Sequence, residues 1–179
     1  MKVIVISGRA QHGKDTIAQM IKEQLKDDHI DVLITHYADL LKYICKQYLG
    51  WNGNKDEDGR RLLQYVGTDV VRRRVPDFWV DFIISILTLF DGRWGYVIIP
   101  DVRFPNEVQK LRDCGFDVIH IHIDRPDFNN GLTDEQNSHE SETQMMYMKP
   151  DHRIHNCGTL DDLRAVMTNW IKENIENGR

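Results

Sequence analysis

The run Gly8-Arg9-Ala10-Gln11-His12-Gly13-Lys14-Asp15-Thr16 follows directly on the apolar stretch Val3-Ile4-Val5-Ile6, and no other feature constrains the fold as much. An uninterrupted apolar run of this kind reads as a strand buried on both faces. Downstream, Ile17, Met20, Ile21 and Leu25 make one apolar stripe, so Thr16–Lys26 reads as a helix. Strand, glycine-bounded loop and helix in that order are the context of a phosphate-binding loop. Gly8 and Gly13 let the backbone turn tightly with its N–H groups aimed inward. Those groups and the helix N-terminus suit a polyphosphate. Lys14 supplies mobile positive charge for the β- and γ-phosphates.

Asp15 stands where such a loop usually carries Ser or Thr, and Thr16 follows it. A carboxylate is a hard oxygen ligand that can hold Mg²⁺ directly or through water. It also suits a helix N-terminus as a simple cap. Thr16 is placed to donate to an α-phosphate.

Strand and helix patterns alternate along the rest of the chain. Asp31–Tyr37, Tyr96–Pro100, Asp117–Ile123 and His152–Asn156 read as strands. Asp39–Leu49, Arg60–Val66, Phe78–Phe90, Pro105–Cys114 and Leu160–Ile175 read as helices. The helix from Arg60 is expected to break at Gly67-Thr68 and resume to Arg74. Gly50–Gly59 reads as a polar loop, Arg125–Ser138 as a mobile polar segment and His139–Met148 as a short helix. The class is therefore α/β with a parallel sheet.

Ligands in such sheets collect at the carboxyl ends of the strands. That rule gathers the loop, Asp39, Asp101, Arg103, Arg125, Asn156 and Gly158. An acid at Asp101 can orient Mg²⁺-bound water beside a γ-phosphate. Arg103 can grip a phosphate with its fork, or simply pair with Asp101. Arg60 and Gln64 share a helix face that is either solvated or turned to a ligand. Trp79 is either core or a stacking wall for a base, and from pattern alone reads as core.

A chain of 179 residues with 41% apolar and 28% charged residues is expected to form one soluble domain over 1–179. The net charge of −5 leaves no footprint for nucleic acid. Cys45, Cys114 and Cys157 lie far apart without zinc spacing, as in a reducing compartment. No signal pattern or long apolar span appears, so the expected location is cytoplasmic, without a membrane partner. His120 and His122 alternate on one strand face with no further ligand at metal spacing, and read as core or hydrogen-bonded histidines. Asp56-Glu57-Asp58-Gly59 and Asn54-Lys55-Asp56-Glu57 lack the strand context of a regulatory GTPase.

Together these residues resemble the phage-type deoxynucleoside monophosphate kinases over nearly the whole chain. The likeness rests on Ser7-Gly8 with Gly13-Lys14-Asp15-Thr16, Tyr37-Ala38-Asp39 with Leu41-Lys42, and Arg60 with Leu63-Gln64. It continues in Gly67-Thr68-Asp69, Arg72, Trp79-Val80, Pro100-Asp101-Val102-Arg103, Asn106-Glu107 and Asn156-x-Gly158-Thr159-Leu160. The resemblance implies a P-loop three-layer α/β/α, adenylate-kinase-like fold with a five-stranded parallel sheet of order 2-3-1-4-5. It implies ATP and Mg²⁺, and a deoxynucleoside monophosphate as acceptor. Host cytoplasm follows if the chain is phage-encoded, and a homodimer stays open.

The resemblance also distributes roles. Gly8, Arg9, Gly13, Lys14, Asp15 and Thr16 match the donor loop, with Arg125, Asn156 and Gly158 on the same side. Asp39, Lys42, Arg60, Gln64, Arg72, Trp79 and Arg103 match the acceptor side, within a helical segment at about 39–90. Lys14, Arg60, Asp101 and Arg103 match the transfer point, with Asp15 and Asp101 for the metal. A lid-like segment at about 125–150 departs from the pattern, because Asp127–Met148 carries no Lys or Arg. His139-Glu140-Ser141-Glu142 resembles a segment of other small-molecule kinases, including animal phosphomevalonate kinase. A phosphorylated small molecule of that kind is the alternative acceptor, and a nucleotide-binding regulatory module without transfer is the other rival.

Overall fold

Five parallel strands form the sheet of the computed structural model, which describes residues 1–27 and 30–176. They are β1 Lys2–Ser7, β2 Val32–Ile34, β3 Tyr96–Val102, β4 Asp117–Asp124 and β5 His152–His155, in spatial order β2-β3-β1-β4-β5. Val3 pairs in register with Val97 on one side and Val118 on the other, so the loop after β1 leaves the centre of the sheet. The helices are α1 Lys14–Asp27, α2 Ala38–Tyr48, α3 Glu57–Gln64, α4 Phe78–Leu89, α5 Pro105–Asp113, α6 Asp134–Ser138, α7 Glu140–Thr143 and α8 Leu160–Ile171.

Strand side chains alternate between faces, and each face here builds its own core. Val3, Val5, Val97 and Ile99 meet α2, α4 and α5 through Leu41, Cys45, Ile83, Leu87, Val108 and Leu111. Ile4, Ile6, Ile98, Ile121 and Ile123 meet α1 and α8 through Ile17, Ile21, Leu25, Leu163, Met167 and Ile171. Helices on both faces explain why the strands read as unbroken apolar runs. Among the described residues, no helix is long and apolar enough to cross a membrane.

The structure corrects several expected boundaries. The second strand is Val32–Ile34, not Asp31–Tyr37, because the amides of Tyr37 and Ala38 turn to the carboxylate of Asp101 at 3.0 Å each. The third strand runs two residues further, so Asp101 lies in it. α3 starts at Glu57 inside the expected loop, with the Asp56 side chain accepting from Gly59 N at 2.8 Å. The helix does not break at Gly67-Thr68; it continues as a π-helical run, Tyr65–Arg72. Gly67 is there for close packing: a Cβ would stand 2.7 Å from Leu41 Cδ2, and the Gly67 carbonyl accepts from Trp79 Nε1 at 2.9 Å.

His120 and His122 share a partner rather than a metal. Ser7 Oγ lies 2.8 Å from His120 Nε2 and 2.9 Å from His122 Nδ1. Burial lowers the His120 pKa to about 4, so this ring is neutral at ordinary pH.

Candidate active site

The loop between β1 and α1 depends on its two glycines. Gly8 has φ +150°, and a Cβ there would lie 2.3 Å from the Ile123 carbonyl oxygen. Gly13 has φ +103°, with Asn156 Nδ2 3.0 Å from where its Cβ would be. Asn156 Nδ2 donates to His12 O at 3.1 Å, bracing the loop from the end of β5. The His12 ring accepts from Arg125 N at 3.0 Å, and burial, with Lys14 nearby, lowers its pKa toward the neutral form that can accept.

Lys14 is buried and donates to the carbonyls of Gly8 and Arg9, both at 2.7 Å. Burial first, and the Arg103 charge second, lower its pKa to about 7. A polyphosphate on the loop needs the protonated form. Binding of tripolyphosphate is therefore expected to take up protons at pH 8, and affinity should weaken as pH rises through about 7. Calorimetry in buffers of different ionisation heat checks this; proton release, or none exchanged at pH 8, would refute it.

Asp15 opens α1 with its side chain 77% exposed, and accepts from His36 Nε2 at 2.9 Å. That hydrogen bond is the main cause holding the Asp15 pKa below its usual value and raising that of His36. His36 Nδ1 lies 3.4 Å from Asp39 Oδ2, and Lys42 Nζ donates to Asp39 Oδ1 at 3.1 Å. Asp15, His36, Asp39 and Lys42 thus form a polar chain from α1 to α2.

A cavity of about 480 Å³ opens beside Lys14 and Asp15. With Lys14, its cations are Lys42, Lys55, Arg60, Arg72 and Arg103, and its apolar wall includes Leu41, Leu63, Trp79, Phe104 and Leu132. Arg60 and Lys55 make no ion pair among the described residues. Burial first, then the Lys42 charge, lowers the Lys55 pKa. Arg72 is anchored: Nη2 pairs with Glu107 Oε1, Nη1 donates to Pro76 O at 3.1 Å, and the guanidinium covers the Phe104 ring at 3.9 Å. Its Nε is buried and has no hydrogen-bond partner among the described residues. Glu107 is buried, and its Oε2 accepts from the amides of Arg103 (2.7 Å) and Phe104 (3.0 Å). Burial raises the Glu107 pKa, while Arg72 opposes that rise.

The expected residues therefore divide. Lys14, Asp15, Lys42, Arg60, Gln64, Arg72, Trp79, Asp101 and Arg103 line one cavity. Asp39 reaches it through His36 and Lys42. Gly8, Arg9, Gly13, Thr16, Arg125, Asn156 and Gly158 lie outside its lining, around the loop and the ends of β4 and β5. Arg125 stacks on the Phe128 ring at 4.0 Å. An Asp101–Arg103 pair is absent: Asp101 clasps the start of α2, and Arg103 pairs with Glu142 at 2.7 Å. Trp79 is 4% exposed and packs in the core while forming part of the cavity lining.

Segment 125–138, read from sequence as polar and mobile, hydrogen-bonds to the loop and α3. Gln11 Nε2 donates to Asn130 O at 2.8 Å, Gln136 Nε2 to Glu57 O at 3.3 Å, and Gln64 Nε2 to Gln136 O at 3.4 Å. His36, Lys55, Glu107, Leu132 and Glu142 are site residues to which sequence reasoning assigned no role. Their types are common on surfaces or in cores, and only the fold brings them together.

Comparison with known proteins fits this geometry. The model of the deoxynucleotide monophosphate kinase family matches residues 36–167. The deoxynucleotide monophosphate kinase of Enterobacteria phage T4 is 31% identical over 115 residues, covering 63% of this chain and 45% of that protein. The chain thus spans less than half of that relative. A protein of Acanthamoeba polyphaga mimivirus, provisionally given the same name, is 27% identical over 175 residues, covering 83% of this chain and 84% of that one. Among solved structures, a gluconokinase from Sinorhizobium meliloti 1021 has a TM-score of 0.55 at 14% identity, covering 98% of this chain and 94% of its own, a likeness of fold alone.

Proposed function

We propose that this chain, which belongs to the deoxynucleotide monophosphate kinase family, transfers the γ-phosphoryl group of ATP to the phosphate of a deoxynucleoside monophosphate. One observation carries the reading: the loop built for a polyphosphate and a cavity combining cations with an apolar wall share Lys14 and Asp15. The ATP phosphates would lie on the loop and at the α1 N-terminus. The acceptor phosphate would meet Arg60 and Arg103, and its apolar part would lie against Leu63 and Leu132.

Residues suited to Mg²⁺ are present. Asp15 is a solvent-facing carboxylate next to Lys14, and Asp101 lines the same cavity. Among the described residues no group of three or more His, Cys, Asp and Glu forms a protein-only metal cage. Few protein ligands, with phosphate oxygens and water completing the shell, suit Mg²⁺. When bound it would neutralise charge on the β- and γ-phosphates.

The acceptor oxygen is already ionised near pH 7, so no strong base is required. What the protein must do is bring two anions together in line. Lys14 and Arg103 converge there from the loop and the end of β3, and segment 125–148 contributes Leu132, Ser141 and Glu142 to the cavity lining.

Coupled measurement of ADP formation with single deoxynucleoside monophosphates, and with phosphomevalonate as competitor class, tests the reading. Arg60→Ala should raise the acceptor KM or lower kcat, an effect of about 2–5 kcal/mol on kcat/KM if a phosphate pair is lost, with ATP affinity nearly unchanged. Turnover on phosphomevalonate alone would replace the proposed acceptor. Loss of ATP affinity with an intact acceptor site would reverse the two pockets.

A further inference from the structure

The side chain of Glu142 is 7% exposed, and its Oε2 is held by two groups of the site. Oε2 pairs with Arg103 Nη1 at 2.7 Å and accepts from Ala10 N, in the loop, at 3.2 Å. A buried carboxylate is costly unless paired and hydrogen-bonded, and a buried pair is a weak source of stability compared with apolar packing. The pair therefore calls for an explanation other than stability. We propose that Glu142 is a positioning residue for phosphoryl transfer, fixing the Arg103 guanidinium where the loop meets the cavity; this rests on the kinase reading above.

Arg103 is held at both ends. Its amide donates to Glu107 Oε2 at 2.7 Å, and its Nη1 reaches Glu142 Oε2 and, at 3.4 Å, Gly8 O. Nη2 and Nε have no protein acceptor among the described residues, so part of the fork remains for an oxyanion. Glu142 is itself aimed by α7. His139 Nδ1 accepts from Ser141 N at 3.2 Å, and Glu142 N donates to His139 O at 2.9 Å. The contact thereby joins the roof of the cavity to the point of transfer.

The test is a double-mutant cycle with Arg103→Ala and Glu142→Ala, joined by Glu142→Gln, which keeps the shape and an acceptor oxygen. Glu142→Ala should lower kcat about 10²-fold, as expected for a misplaced reacting partner, with both KM values within about 3-fold of wild type on the same reasoning. Glu142→Gln should recover part of the loss. In the Arg103→Ala background, Glu142→Ala should cost little more, because coupled residues are not additive.

A second readout needs no turnover. The Arg103 Nε–H signal in ¹⁵N spectra, assigned by its disappearance in Arg103→Lys, should be dispersed and ordered in wild type and averaged in Glu142→Ala. Multiplicative losses in the cycle, or an unchanged Arg103 signal in Glu142→Ala, overturn the role of Glu142. Absent wild-type turnover on every deoxynucleoside monophosphate would instead overturn the kinase reading, and the spectroscopic arm would still decide whether Glu142 orders Arg103.

Discussion

Replacing Lys14 with alanine is expected to lower kcat by about 10²–10³-fold or more, the scale seen when a preorganised charge-stabilising donor is removed. The fold should survive. Lys14 is a buried cation whose pKa is already lowered to about 7, so its charge is held at a cost to the folded protein. Its Nζ contacts are the carbonyls of Gly8 and Arg9. Lys14→Met, which fills the same volume without charge, should therefore match the activity loss while the melting temperature stays level or rises. Steady-state kinetics alongside thermal denaturation separates the two effects. Near wild-type turnover in either variant would remove the loop from the mechanism. Parallel collapse of melting temperature and activity in both would make Lys14 a structural residue.

The parts of this molecule that were legible in its sequence are those whose physics is local. A strand buried on both faces, two glycines at fixed spacing and a helix with one apolar stripe are each visible within a few residues. The loop and the sheet class follow from them, whereas the sheet order 2-3-1-4-5 came with the family resemblance. The misreadings occur where a distant partner changes a local preference. Tyr37 looks like the end of a strand until Asp101 takes its amide. Gly67 looks like a helix breaker until Leu41 and Trp79 are packed against it.

Segment 125–148 is a different case. The polar composition of Arg125–Ser138 reads as mobile, yet Thr133-Asp134-Glu135-Gln136 carries a local signal. Thr133 Oγ1 accepts from Gln136 N at 3.2 Å, and Gln136 Oε1 accepts from Thr133 N at 3.3 Å, a capping box that starts α6. That pattern is local and closely follows Asn129-Asn130-Gly131, whose turn chemistry points the other way. Glu142, by contrast, could not be assigned from its neighbours. Nothing within its own segment indicates that it reaches Arg103 and Ala10.

Trp79 brings stability and recognition into direct competition, and its replacement by alanine should cost about 3–5 kcal/mol, the range for deleting a large buried aromatic. The side chain is 4% exposed, packs in the core with Leu41, Val66 and Ile83, and donates to Gly67 O at 2.9 Å. An indole so enclosed has little surface free for base stacking. Loss of the ring would also remove the indole N–H bond to the Gly67 carbonyl, a further cost. Chemical denaturation should thus show a large fall in midpoint. Trp79→Phe should retain most of the packing while losing the indole N–H. Kinetics of Trp79→Phe then settle the matter: an acceptor KM close to wild type is expected for a core residue. A large rise in acceptor KM in Trp79→Phe, with stability nearly intact, would refute the core assignment and restore Trp79 as a wall against which a nucleobase stacks.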